Sequence, residues 1–204
     1  MYGLVVKRNE MLDNLNILLG VTGGVAAYKA VDLASKLTAA GARVKTVMTE
    51  AACELVGPKS FEAVTRSEVF ITMWSTPQEY KISHIDLVDW ADVVVVAPAT
   101  ANMIGKVANG ICDDLLSTII CACWPLVESG RTLLAPAMNN HMWENPAVQS
   151  NVETIKERGF QVTGPVEGRL ACGAEGIGRM SEPQDILEAI EKIASKIKNR
   201  EASS

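Results

Sequence analysis

The chain has 204 residues, 48% of them apolar and 21% charged, with a formal net charge of -5. That is enough apolar chain for one sizeable core. A mildly acidic balance without a basic cluster excludes nucleic acid and an anionic membrane surface as main partners.

In chain order, residues 1–14 are expected to form an N-terminal extension, with Met11 an alternative start, because the organised pattern begins at Leu15. Asn16–Val21 is a buried strand, followed by Thr22-Gly23-Gly24 and a helical pattern to about Ala40, with Ala26, Ala30, Leu33 and Leu37 on one face. Gly41 is its stop signal. Arg43–Met48 is the second strand and Thr49–Val56 a short helix that Gly57-Pro58 ends; Ser60 caps another over Phe61–Arg66. Met73–Ser83 is polar and irregular. Ile85–Trp90 leads into Val93-Val94-Val95-Val96, a run without alternation, as expected of a parallel strand covered on both faces.

Thr100-Ala101-Asn102 opens a helix to about Ala108, and Asp113-Asp114 begins an apolar helix over Leu115–Cys123, where acidic residues suit the helix dipole. The longest apolar run, Leu115–Val127, is broken by Ser117, Thr118 and Pro125, so no membrane span is expected. Thr132–Ala135 is a strand ending at Pro136, Pro146–Arg158 a helix, and Phe160–Val162 a last strand. Gly164–Met180 reads as a loop with five glycines, and Glu182–Lys198 as a closing amphipathic helix with Ile186, Ile190, Ile193 and Ile197 at helical spacing. Residues 15–198 thus form one domain before a polar tail, 199–204. The alternation predicts an α/β fold with a single doubly wound parallel sheet, Rossmann-like or flavodoxin-like, and helices on both faces. Five cysteines without a framework spacing, and no secretory signal, predict reduced thiols and a cytoplasmic location. Cys121 and Cys123 point to different sides of one helix, so no metal site is expected.

Five stretches could carry chemistry. Gly20-Val21-Thr22-Gly23-Gly24 joins a strand to a helix, where backbone N–H groups and the helix dipole suit a phosphate. The competing reading is a tight turn needing positive φ. The spacing is not the dinucleotide fingerprint, and no lysine completes a P-loop, so Glu50 as a ribose ligand ranks low. Ala97-Pro98-Ala99-Thr100-Ala101-Asn102 is a second strand-end loop, whose small residues admit a flat ring, or else a simple capped helix start. His84 can transfer protons near neutral pH, although a lone histidine is more often structural. Pro136–Trp143 exposes Asn139, Asn140 and His141 just outside a strand end, where open sheets bind ligands; a capped loop is the alternative. Cys172, in a glycine-rich segment, is a possible acid or nucleophile, or an incidental thiol.

Taken together, LGVTGGVAAYKA, SHIDL, VVAPATANMIGKVANGICDDLLS, PAMNNHMW and GRLACGAEGIGRM, spread over about Asn16 to Glu188, resemble the flavin-containing cysteine decarboxylases. The PAMNNHMW and ACG segments are the specific ones. Cys112, before the aspartate pair, departs from the small residue expected there. The resemblance implies FMN in a crevice made by Gly20, Thr22, Gly23, Gly24, the region of Thr49, and Pro98, Ala99, Thr100 and Asn102, with Ser117 nearby. It implies His84 as the active-site histidine and Asn139 as the ligand of the substrate carboxylate, with Met138 and Ala171 also at the substrate. Cys172 would be the late-acting acid on a segment folding over the substrate.

The implied reaction converts 4′-phosphopantothenoylcysteine to 4′-phosphopantetheine in coenzyme A biosynthesis, by thiol oxidation to a thioaldehyde, loss of CO₂ and re-reduction of the enethiol. Implied partners are copies of the chain, as a homotrimer or dodecamer, and a phosphopantothenoylcysteine synthetase, fused or separate. Cys172 separates this reading from the peptidyl-cysteine decarboxylases, which lack the thiol. The joint presence of His84, Asn139 and Cys172 ranks a non-catalytic regulatory flavoprotein second. A flavin prenyltransferase fits the PAMN and ACG segments poorly.

Overall fold

The computed structural model of the protein describes residues 11–74, 83–169, 173 and 175–201. Strand β1 (Asn16–Val21) leads through Thr22–Ala26 into α1 (Ala27–Ala39). Helix α1 stops where Gly41 takes φ +99, a conformation that costs other residues a steric clash. Strand β2 (Arg43–Met48) and the short α2 (Glu50–Cys53), capped by the Thr49 hydroxyl, follow. The helix expected over Phe61–Arg66 is α3 (Pro58–Thr65), which starts two residues before the expected Ser60 cap. Pro58 opens this helix at its first turn, where the missing N–H would have no partner anyway. The short β3 (Val69–Phe70) is an edge strand too brief for a periodic signal.

After residues 75–82 come α4 (His84–Trp90), β4 (Val93–Ala99), α5 (Ala101–Asn109), α6 (Leu115–Ala122), α7 (Trp124–Glu128) and β5 (Thr132–Pro136). Then follow α8 (Asn140–Trp143), α9 (Pro146–Glu157), β6 (Gln161–Val162), β7 (Val166–Arg169), β8 (Glu175–Arg179) and α10 (Pro183–Glu201). The six-stranded sheet is parallel, in the order β3-β2-β1-β4-β5-β6, the doubly wound arrangement expected.

The valine run shows why the sheet is apolar on both faces. Val93 and Val95 join the core under α1 and α10, while Val94 and Val96 join the core under α5, α6 and α9. Successive side chains of a strand point to opposite faces, so two buried faces demand an unbroken run. Ile186, Ile190, Ile193 and Ile197 seat α10 on the first of these cores, as their spacing predicts. Leu12 is also fully buried there, so the packed domain begins ahead of the expected boundary at Leu15. Among the described residues, no helix is long and apolar enough to cross a membrane.

The expected glycine-rich loop over Gly164–Met180 is replaced by an antiparallel hairpin of β7 and β8, with Gly168 opposite Gly176. Phe160–Val162 is therefore not the last strand. Glycine lacks strand propensity, which hides such a hairpin in the sequence. It is tolerated here because β8 lies against the segment after β5. A Cβ at Gly176 would sit 3.1 Å from Cβ of Asn140, and one at Gly178 would run into the Met138 carbonyl.

Candidate active site

The chain reverses direction across the sheet between β1 and β4, which are adjacent strands followed by crossovers to opposite sides. A crevice opens at such a switch point, outside the carboxyl ends of the strands. Two threonines join its sides. The buried Thr22 hydroxyl donates to the Pro98 carbonyl at 2.7 Å and accepts the Thr100 N–H at 3.1 Å. Thr100 in turn caps α5 through the Met103 N–H.

The glycines of the first loop do not serve a left-handed turn, because none of Gly20, Gly23 and Gly24 has positive φ. They permit close approach of protein to protein. A Cβ on Gly23 would sit 2.5 Å from the Ala51 Cβ, and one on Gly20 would sit 2.6 Å from a Leu116 methyl. Helix α1 starts without a side-chain cap, whereas Thr49, Ser83, Thr100, Asp114, Asn139 and Asn145 cap theirs. The residues leading into α1, Val25 and Ala26, line the crevice beside Gly23 and Gly24.

Two cavities meet at Gly23, Thr100 and Met142. The first, about 570 Å³, takes in Thr22, Thr49 and Asn102 and is rimmed by Trp74, which is 84% exposed. Its polar wall is acidic. Lys106 lies 2.6 Å from both Asp113 and Asp114, and Glu50 is on the same lining. Burial pulls the Lys106 ammonium down, but its bonds to the two aspartates outweigh that and raise it above its ordinary value. The bond from Lys106 holds the Asp113 carboxyl below its ordinary value.

The second cavity, about 820 Å³, contains Gly24, Met138 and Asn139 and is lined by Lys29, Arg169 and Arg179. Asn139 caps α8, its Oδ1 accepting the His141 N–H at 2.9 Å. That bond fixes the amide orientation by holding its oxygen at the start of α8. The segment is pinned from below, because the Met138 N–H donates to the Gly178 carbonyl at 2.9 Å. Lys29 falls within LGVTGGVAAYKA, and Arg169 and Arg179 within GRLACGAEGIGRM, but nothing in those motifs shows that the three cations share one cavity. Lys106, seven residues before Asp113, is a site-lining residue that the sequence alone does not single out.

Other expected residues stand elsewhere. Gly20, Pro98 and Ala99 belong to the buried strands and line neither cavity. Ser117 is buried and closes a capping box with Asp114, so its hydroxyl serves helix α6. His84 is the half-buried first residue of α4, behind the Ser83–Asp86 capping box. It lines neither cavity of the single chain, although α4 precedes β4 and so begins at the carboxyl edge of the sheet. Ala171 and Cys172 lie outside the described residues.

A family model described as Flavoprotein matches residues 5–195. The coenzyme A biosynthesis bifunctional protein CoaBC of Bacillus subtilis is 49% identical over 182 residues, covering 89% of this chain and 44% of that protein. CoaBC of Escherichia coli is 42% identical over 177 residues, covering 87% of this chain and 42% of that protein. The chain thus spans less than half the length of these curated relatives. A solved mutant of PPC decarboxylase, complexed with pantothenoylaminoethenethiol, is 34% identical with a TM-score of 0.74, covering 87% of this chain and 96% of that one. The FMN-dependent cysteine decarboxylase SpaF is 33% identical with a TM-score of 0.73, covering 90% of this chain and 99% of that one.

Proposed function

This chain belongs to the flavoprotein family, and on that premise we propose that it is an FMN-dependent phosphopantothenoylcysteine decarboxylase, forming 4′-phosphopantetheine for coenzyme A biosynthesis. The observation that carries this reading is the seating of β8 on Met138-Asn139, which puts Asn139 and both arms of the hairpin at the switch-point crevice. The likeness to a solved PPC decarboxylase over 96% of that chain supports it.

The residues present fit FMN. The uncapped N-terminus of the 13-residue α1 suits its phosphate, and the Thr49 and Asn102 side chains line the adjoining cavity with apolar Met103 and Leu115. Thr22 and Thr100 would hold the two sides of the crevice in register. FMN supplies the electron sink that a cysteine-derived carboxylate lacks. Asn139 would orient that carboxylate with an uncharged donor, which binds it without the ionic pairing that opposes its loss. His84 would move the proton of the oxidation step, and Cys172 would protonate the enethiolate.

The assembly we propose is a homotrimer, alone or built into a dodecamer, in the cytoplasm. Ile85, Ile111 and Trp124 are each nearly half exposed, which supports burial against another copy. A phosphopantothenoylcysteine synthetase is the proposed partner, because the curated relatives are bifunctional. The likeness to the FMN-dependent cysteine decarboxylase SpaF leaves a second reading within the same family, a decarboxylase acting on cysteine in a peptide.

Product mass tests both. Flavin-loaded protein given phosphopantothenoylcysteine is expected to yield a product lighter by CO₂ alone. Loss of CO₂ and two hydrogens moves the chain to the oxidative peptide enzymes, and an unchanged substrate removes the decarboxylase reading. Cys172→Ser is expected to release the product two hydrogens lighter than the normal one.

A further inference from the structure

The second cavity is cationic in a way that the flavin and the cysteine carboxylate leave unused. Lys29, Arg169 and Arg179 line it, and among the described residues no carboxylate does. The first cavity has the opposite character, with its lysine held by two aspartates.

Arg179 is the informative member. Its Nη2 lies 3.3 Å from Oε1 of Glu182, and the same oxygen receives Lys29 Nζ at the shorter 2.9 Å. One carboxylate oxygen is thus shared by two cations. The Nε of Arg179 is buried without a hydrogen-bond partner among the described residues. A buried donor left unmade is costly, and a guanidinium fork is shaped for two oxygens of one group. The hairpin holds this fork in place. The guanidinium lies against Gly168, where a Cβ would come within 3.3 Å of Nη1, and the neighbouring Gly178 carbonyl is bonded to the Met138 N–H. Arg169 ends the partner strand, opposite Glu175 in register, and Glu175 does not line the cavity.

We propose that Arg179, with Arg169 on the same cavity lining, anchors the phosphoryl group of the substrate, and that Glu182 is the counter-ion this group displaces. A phosphomonoester carries close to two negative charges and three acceptor oxygens, which match the excess cations and the incomplete fork. Asn139 in the same cavity then receives the carboxylate at the other end of the ligand. The identity of that ligand rests on the decarboxylase reading above. The flavin phosphate is the other source of such a group; the uncapped start of α1 already suits it.

The test is calorimetric titration of flavin-loaded protein with 4′-phosphopantetheine and with pantetheine, which needs no turnover. A chain that fails to decarboxylate would overturn the function while leaving this measurement intact. The wild type is expected to favour the phosphorylated ligand, and Arg179→Gln to cut that preference about tenfold to a hundredfold, the worth of a charged hydrogen bond. Arg179→Lys should restore part of it, and Glu182→Gln should increase it. Equal binding of the two ligands by the wild type overturns the proposal, as does a loss in Arg179→Gln shared equally by both. So does a variant whose only defect is weaker retention of FMN relative to riboflavin, which would assign the arginine to the flavin. Should Arg179→Gln not fold, Arg169→Gln is read in the same way, and an unchanged preference there overturns the proposal.

Discussion

The Thr22 hydroxyl ties together the two strand ends that flank the switch point, accepting the Thr100 N–H at 3.1 Å while donating to the Pro98 carbonyl at 2.7 Å. Residues 78 apart in sequence thereby share one bridge, and Thr100 passes it on as the cap of α5. Thr22→Val keeps the shape and strands both backbone groups. The expected loss is about 1–3 kcal/mol of stability, read by urea unfolding, with weaker retention of FMN. An unchanged midpoint would mean that water replaces the bridge.

Asn139→Asp separates the cap from the ligand contact. Aspartate caps a helix as well as asparagine does, so α8 and the melting temperature should hold. The donor toward the substrate carboxylate becomes a like charge. Steady-state assays should show kcat/KM reduced by roughly a hundredfold or more, with FMN still bound. Near-normal turnover would remove Asn139 from the site.

Gly178→Ala tests the seating of the hairpin. The new methyl meets the Met138 carbonyl, so either β8 or the Asn139 segment must move. The expected cost is about 1–3 kcal/mol, and hydrogen exchange should show the Met138 amide losing its protection. Retained protection with full activity would mean that the contact is not needed.

The Lys106 cluster sets a pH window. Asp113 has a lowered value in the fold, so its contribution is present above the ordinary 3.8 and is lost as pH falls through the lowered value. Lys106 has a raised value, so its contribution is present below the ordinary 10.5 and is lost as pH rises through the raised value. The stability gap between wild type and Lys106→Met should therefore be flat across neutral pH and close at both extremes. Denaturant melts across the pH range measure it, and a gap that persists in strong acid would exclude the Asp113 pair as its source.

The sheet and its covering helices were legible because they are encoded locally. Four consecutive valines require two buried faces, and isoleucines at helical spacing require one, wherever they sit in the chain. The caps at Thr100 and Asn139 were legible for the same reason, since each answers to its immediate neighbours, whereas Asn139 and Asn140, expected to be exposed, are half-buried. The hairpin was not, because Gly168, Gly176 and Gly178 read as flexibility when what they permit is contact with Met138 and Asn140 from elsewhere in the chain.

By itself, then, the sequence determined the doubly wound sheet, the switch-point location of the crevice and the motif residues that mark its family. Only the tertiary structure decided that Ser117 is spent on a helix cap, that the loop glycines serve packing, and that one cavity is acidic and the other basic. Periodicity and capping act over a few residues and survive in a linear reading. The sign of a cavity depends on which distant charges the fold brings together and which of them it neutralises, as with Lys29, Arg179 and Glu182.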